Sequence, residues 1–322
     1  MGTSFIIDIE NLSYVYSNSG VKALSSLSVQ SDMKSGILAI LGPNGAGKTT
    51  LVNVMTTSMP LQTGKIKIFG YDIARNRDII RSLIALCAQG LELDLLLSIK
   101  ANLWSYGLIR GMKKETLKKR IDYLLELFQM KEKADRRVLQ LSGGEMRRVQ
   151  LMRTFLDETA KLLFIDEPTL GLDPLGRKVT WELIKEWVEK EHYFILTTND
   201  MAEVERLSSE IVFLYKGQKL AETTVEEFKK QYAGRIKINI KTGNENSKAC
   251  IRKWSSKNKV NVLHQSGHTF TLECKDILIF LDLLSEISRK GGEIEGLSLQ
   301  QETLEDAFIN LIEKMEGFHG NN

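Results

Sequence analysis

The first part of the chain is written in short apolar runs separated by turn residues. Residues 5–10 and 12–16 read as extended, with Phe5-Ile6-Ile7-Asp8-Ile9 apolar and β-branched and the second segment ending at Tyr14-Val15-Tyr16. Asn18-Ser19-Gly20 is turn chemistry, and a short strand follows around Leu24–Val29. Ile37-Leu38-Ala39-Ile40-Leu41 is apolar without interruption, the pattern of a strand covered on both faces. It runs into a glycine-rich loop and then a helix that must stop before Pro60. Lys65-Ile66-Lys67-Ile68-Phe69-Gly70 alternates with period two and predicts a half-buried strand.

From about 91 to 150 the period lengthens. Leu117, Ile121, Leu124, Leu125 and Phe128 share one face of a helix and predict core packing in a helical lobe. Apolar strand runs return at Leu162–Ile165 and Tyr193–Thr197, and Ile211–Tyr215 ends at the turn Lys216-Gly217. Strands alternating with helices predict an α/β fold, a parallel or mixed sheet with crossover connections, over residues 1–220.

Beyond 220 the pattern changes. A linker helix is expected over 221–234, with Gly234 as terminator. A strand (235–240), a polar helix (about 246–256), strands at 259–264 and 269–273, a helix carrying Ile277, Leu281 and Leu284, and a strand at 293–299 follow. A last helix has Leu304, Ala307, Phe308, Leu311 and Ile312 on one face. This β-α-β-β-α-β order predicts a small ferredoxin-like α+β domain over 235–316, with 317–322 disordered.

Composition narrows the function classes. The 322 residues are 43% hydrophobic and 26% charged, and 44 Lys+Arg against 41 Asp+Glu leave +3, too balanced to predict a nucleic-acid partner. Residues 110–153 hold thirteen basic and six acidic side chains, which predicts either a solvated face or a surface beside phosphates or anionic head groups. Residues 235–322 carry twelve of each sign. No apolar run approaches the ~18–20 residues of a membrane helix. The start, Met1–Ile6, has no basic region with a long apolar stretch, and three scattered cysteines suggest neither a disulfide framework nor a zinc site. A reducing cytosol is the expected compartment.

Three segments carry chemistry. Gly42-Pro43-Asn44-Gly45-Ala46-Gly47-Lys48-Thr49-Thr50 fits G-x-x-x-x-G-K-[ST], after a buried strand and before a helix. Its successive N–H groups and the helix N-terminus form an anion nest. Lys48 supplies a point charge for β- and γ-phosphates, and the Thr49 hydroxyl is a Mg2+ ligand. Leu162-Leu163-Phe164-Ile165-Asp166-Glu167-Pro168 is a strand ending in two carboxylates. Asp166 would hold the Mg2+ water shell and Glu167 would take a proton from an attacking water. Leu141-Ser142-Gly143-Gly144-Glu145 reads as a capped helix entry whose free N–H groups await an anion.

Together with Gln89 and Gly171-Leu172-Asp173-Pro174, these segments have the order and spacing of the nucleotide-binding subunit of ATP-binding cassette (ABC) transporters, a P-loop NTPase cassette with a mixed sheet and a helical lobe. The resemblance spans roughly residues 5–220. The remainder, with Glu302-Thr303-Leu304-Glu305-Asp306-Ala307-Phe308, resembles the C-terminal extension of cassettes serving drug, polysaccharide or sodium export permeases. The resemblance implies ATP and Mg2+ as ligands, with Tyr16 stacking on adenine and Gln89 reaching both Mg2+ and the attacking water. It implies that Ser142, Gly143 and Gly144 meet the nucleotide of a second cassette subunit, with Asp173 ordering the dimer seam. An integral membrane permease would be the further partner, with the chain peripheral on the cytoplasmic face. ATP hydrolysis would then drive export.

One position departs from the family pattern. After Ile195-Leu196-Thr197-Thr198 the family carries a histidine, and here the residue is Asn199, which can hydrogen-bond but cannot become cationic. Slower turnover is expected, and an ATP-gated regulatory or scaffold cassette is the alternative reading. His192, ahead of the same strand, is expected at the surface. Leu91–Leu97 is more apolar than a solvent loop needs, and is read as core packing or as part of a groove for a permease helix.

Overall fold

The computed structural model describes residues 5–34, 36–208, 210–232, 236–258, 260–274 and 277–317. In chain order the first unit contains β1 (Ile7–Val15), β2 (Lys22–Ser31), β3 (Ile37–Leu41), α1 (Lys48–Met55), β4 (Thr63–Ile68), β5 (Tyr71–Asp72), α2 (Arg77–Leu83) and β6 (Ile84–Cys87). It continues with α3 (Ile99–Ile109), α4 (Lys114–Leu127), α5 (Gly143–Thr154), β7 (Leu162–Asp166), α6 (Pro174–Glu189), β8 (Tyr193–Thr198), α7 (Met201–Leu207), β9 (Glu210–Tyr215) and β10 (Gln218–Thr224). The second unit holds α8 (Val225–Tyr232), β11 (Ile236–Thr242), α9 (Glu245–Asn258), β12 (Asn261–Ser266), β13 (Thr269–Cys274), α10 (Ile277–Arg289), β14 (Ile294–Gln301) and α11 (Leu304–Gly317). The division falls between Thr224 and Val225.

Two sheets build the first unit. One is four-stranded and antiparallel, β2-β1-β4-β5; the other is six-stranded and mixed, β10-β9-β3-β8-β7-β6, with only β10 antiparallel to its neighbour. The unbroken apolar runs are explained by two cores, one on each face of the six-stranded sheet. In β7, Leu162 and Phe164 enter the core shared with β1, β2, β4 and α1, while Leu163 and Ile165 enter the core of the helical lobe. In β8, Ile195 faces the first core and Phe194 and Leu196 the second. Successive side chains point to opposite faces, so a strand with a core on each side can spare no polar position. Leu117, Ile121, Leu124, Leu125 and Phe128 are buried in the lobe, as their period predicts.

Some expectations need correction. The two segments expected at 5–10 and 12–16 merge into one strand, Ile7–Val15; its register slips around Asn11, whose φ of 50° interrupts the pleat. Residues 221–224 are strand, the end of β10, because they pair with Glu210–Phe213; the helix starts only at Val225. Gly234 and residues 318–322 lie outside the described residues, whereas Gly317 still belongs to α11.

In the second unit an antiparallel sheet runs β12-β13-β11-β14, and α9 and α10 cover one face. The buried stripe of α10 is Phe280, Leu283 and Ile287, with Leu284 partly buried against the same core; Leu281 is exposed, contrary to expectation, and the Ile277 side chain lies outside the description. The helix begins Ile277-Leu278-Ile279-Phe280-Leu281, so its period alone allows more than one face. In α11, Leu304, Ala307 and Leu311 are buried, with Phe308 and Ile312 half-buried beside them.

Candidate functional site

The loop between β3 and α1 turns sharply into the helix. Gly47 is the N-cap residue of α1 with φ 103°, and a Cβ there would stand 2.5 Å from the Ala23 carbonyl oxygen. Both the backbone sign and the space therefore require glycine. Lys48, buried in the first turn, folds back so that its Nζ donates to the carbonyls of Gly42 (2.6 Å) and Pro43 (3.3 Å). This closes the loop around its own ammonium group.

A cavity of about 450 Å3 opens beside it. Asn44, Gly45, Ala46, Gly47, Lys48, Thr49 and Thr50 line it, together with Tyr16, Gln89, Asp166 and Glu167 from three other segments. The Tyr16 hydroxyl is 3.0 Å from Thr50 Oγ1, and its ring stands edge-on to Tyr14. Gly42 and Pro43 contribute their carbonyls to Lys48.

Asp166 ends β7 buried. One carboxylate oxygen accepts the Thr49 hydroxyl at 3.0 Å and the other the Thr197 hydroxyl of β8. Thr49, Asp166 and Gln89 offer only hard oxygen donors where they converge, which suits Mg2+. Glu167 follows with φ 55°, an uncommon value for a side-chain-bearing residue, its N–H held by the Thr197 carbonyl at 2.8 Å. Burial raises the pKa of its carboxyl, Lys48 opposes that rise and Asp166 adds to it. Burial correspondingly lowers the pKa of Lys48, against the pull of Glu167 and Asp166. The cavity thus holds a partly desolvated carboxylate facing a partly desolvated ammonium group.

In the sequence Arg147 is one more basic residue of the helical lobe. The structure gives it a specific task. From the second turn of α5 its buried guanidinium donates to the Ala88 carbonyl (2.8 Å), next to Gln89, and to the carbonyls of Asp166 and Glu167 (2.7 Å to the latter). Other lobe arginines are clamps as well: Arg110 pairs with Asp157, Arg120 with Glu158, Arg148 with Asp173 and Arg153 with Glu92. These account for much of the lobe's charge as internal fastening, which a count of charges cannot foresee.

Ser142, Gly143, Gly144, Asp173 and Asn199 do not line this cavity. Ser142 caps α5: its hydroxyl accepts the Glu145 N–H (3.3 Å), and Glu145 returns to the Ser142 N–H (2.8 Å). Lys133, then the Ser142 N–H, pull the Glu145 carboxyl down to about 2. A Cβ at Gly144 would stand 2.8 Å from the Gly171 carbonyl oxygen, so a side chain is excluded. Asp173 caps α6 through the Gly176 N–H (2.9 Å) and accepts Arg148 (2.6 Å). Asn199 is exposed past the end of β8, and its backbone N–H donates to the Glu167 carboxylate. His192 corrects its expectation: it is buried, with Nδ1 2.8 Å from the Ala160 carbonyl and its ring on Trp187.

A protein-family model described as ABC transporter matches residues 26–170. The daunorubicin resistance ATP-binding protein DrrA3 of Streptomyces coeruleorubidus is 31% identical over 299 residues, covering 90% of this chain and 91% of that protein. The Nod factor export ATP-binding protein I of Rhizobium sp. (strain N33) is 36% identical over 205 residues, 64% of this chain and 67% of the relative. Among solved structures, an ATP-binding subunit of an ABC transporter superposes with a TM-score of 0.65 at 27% identity, covering 70% of this chain and 93% of that one. No helix among the described residues is long and apolar enough to cross a membrane. The phosphate loop, the paired carboxylates and a relative matched along almost its whole length make this chain a member of the ABC transporter ATPase family.

Proposed function

We propose that the chain is the ATP-driven motor subunit of a membrane exporter, working with a second cassette subunit and a separate permease from the cytoplasmic face of the membrane. The observation that carries this reading is the convergence of Lys48, Thr49, Gln89, Asp166 and Glu167 on one cavity. The names of the relatives support export: one is a drug-resistance ATP-binding protein and another serves Nod factor export. In this reading residues 1–224 bind and hydrolyse ATP, and residues 235–316 form an accessory α+β domain.

ATP is the substrate. The loop N–H groups and Lys48 bind its phosphates, and Tyr16, exposed at the cavity rim, stacks on adenine. Thr49, Asp166 and Gln89 would hold Mg2+, which neutralises phosphate charge when bound. Glu167, kept basic by desolvation and oriented by the Asn199 N–H, takes the proton of the attacking water. Ser142 and the free N–H groups behind it cap the phosphate of the nucleotide on the second subunit, and Asp173 lies at the seam. Each nucleotide is then bound by two chains, and hydrolysis releases the pair.

The side chain of Asn199 cannot stabilise developing charge as an imidazolium would. Asn199→His is therefore expected to raise the steady-state ATPase rate about fivefold, roughly 1 kcal/mol of barrier. A phosphate-release assay showing no change or a fall would dismiss that role.

Beyond Gln89, Leu91, Leu95, Leu96 and Leu97 are exposed, beside exposed Leu139, whose N–H bonds the Leu95 carbonyl at 3.0 Å. This apolar strip supports docking of a permease's cytoplasmic helix. Leu93 is buried in the lobe core and belongs to folding instead. Leu96→Asp should cut transport by roughly tenfold or more while ATP binding and basal hydrolysis stay within about twofold. Unchanged export in vesicles would remove the strip from the interface.

A further inference from the structure

The tip of α5 carries a negative charge of its own. Glu145, three residues behind Ser142, turns its carboxylate back onto the cap, where Oε2 accepts the Ser142 N–H at 2.8 Å and the Ser142 hydroxyl at 3.1 Å. Oε1 accepts the Lys133 ammonium group. With its pKa pulled down to about 2, the carboxylate is fully ionised at neutral pH. Lys133 closes a single helical turn, Lys131–Lys133, that follows α4. The segment is rooted in the lobe: the Lys133 carbonyl accepts the Arg136 N–H at 2.9 Å, and the Ala134 and Arg136 carbonyls accept the N–H groups of Lys100 (2.9 Å) and Ile99 (3.1 Å) at the start of α3. The neighbouring Lys131 reaches Glu126 instead, at 3.3 Å.

Under the proposed function, Ser142 and the free N–H groups behind it meet the phosphate of the second subunit's ATP. A bare carboxylate bonded to the Ser142 hydroxyl would repel that phosphate. Two like charges a few ångströms apart at a part-exposed surface shift an equilibrium by about tenfold. The Lys133 ammonium group cancels the charge and leaves the cap as it is. The same arrangement recurs at a second acid nearby. Asp173 lies two residues past Gly171, whose carbonyl packs against Gly144, and it is paired with Arg148 of α5 at 2.6 Å. Each of these two acids thus has its own cation from the lobe.

We propose that Lys133 is a positioning residue of the paired nucleotide site, its ammonium group holding the Glu145 carboxylate and cancelling its charge so that the Ser142 tip admits the phosphate of a second chain's ATP. The inference rests on the reading of Ser142 as the tip that meets the second subunit. Glutamine at 145 can keep the reciprocal cap with Ser142 but carries no charge, so Glu145→Gln separates capping from repulsion.

The test measures pairing by sedimentation over a range of protein concentrations, with saturating ATP and Mg2+, in full chains that carry Glu167→Gln as the parent change. Lys133→Ala should weaken pairing about tenfold, whereas Lys133→Arg, which keeps the cation, should pair as the parent does. Glu145→Gln should pair at least as tightly as the parent, and Lys133→Ala with Glu145→Gln should return to within about threefold of it. The Lys133→Ala defect should also shrink, relative to the parent in the same buffer, at about 1 M salt, where the screening length is about 3 Å. Pairing of Lys133→Ala within about threefold of the parent at low salt overturns the proposal. So does a defect in Glu145→Gln as large as that of Lys133→Ala, or a double variant no better than Lys133→Ala, because a merely structural ion pair is damaged from either side and is not rescued. Ser142→Asp separates the two ideas, since aspartate keeps the cap and puts a bare charge at the tip. Its pairing as tightly as the parent, or a parent that does not pair, would refute the reading of the tip and the proposal with it; its loss of pairing beside an unaffected Lys133→Ala would refute the proposal alone.

Discussion

Replacing Glu167 by glutamine is expected to reduce ATP turnover at least ~100-fold, the usual worth of a positioned general base. The amide keeps the shape and the hydrogen bonds available from Thr198 and the Asn199 N–H, but it cannot accept a proton from water. Nucleotide affinity should not fall, because the carboxylate is not among the groups that would hold phosphate; removing its negative charge near the γ-phosphate favours binding. ATP would then remain uncleaved, and the paired state should accumulate. Size measurement with and without ATP and Mg2+ checks this: the variant should double its mass with ATP, whereas wild type should do so only transiently. A variant that turns over ATP normally would remove Glu167 from the reaction, and one that stays monomeric with ATP bound would remove the paired site.

Lys48→Ala should fail at the earlier step. Its ammonium group donates directly to the loop carbonyls of Gly42 and Pro43, and it lines the cavity opposite Glu167. Deleting it removes a charge-assisted contact with phosphate and releases the two carbonyls that close the loop. A loss of ATP affinity of roughly 100-fold, about 3 kcal/mol, is expected by titration calorimetry, with turnover falling in parallel. Affinity within threefold of wild type would show that the loop N–H groups alone hold the substrate. The two variants thus separate binding from chemistry: one keeps ATP and cannot use it, the other cannot keep it.

Much of this was readable beforehand because the relevant signals are local. Glycine at position 47 answers a φ of 103° that almost no other residue tolerates, and the runs 37–41 and 162–165 are apolar throughout because each strand separates two cores. What escaped was non-local. The partners of Arg147 are the carbonyls of residues 88, 166 and 167, distant in sequence and indistinguishable by type from any other backbone group. Glu203 lies on a helix whose polar pattern gives no hint that one acid turns inward to Trp181. His192 looked like a surface residue because nothing nearby announces that Trp187 and the Ala160 carbonyl enclose it. Residues 221–224 read as the start of a helix because their pairing with β9 is a tertiary fact.

The reach of Arg147 has a mechanical consequence. Helix α5 presents Ser142 at its tip, and little more than a turn along the same rod Arg147 grips the backbone under both acidic residues and beside Gln89. Those carbonyls cannot stay in place if the rod tilts while the guanidinium holds on. A ligand that tugs the outer end of α5 therefore strains the floor of the opposite cavity, and two such chains facing each other would sense one another's cargo of phosphate through a lever made of a single helix.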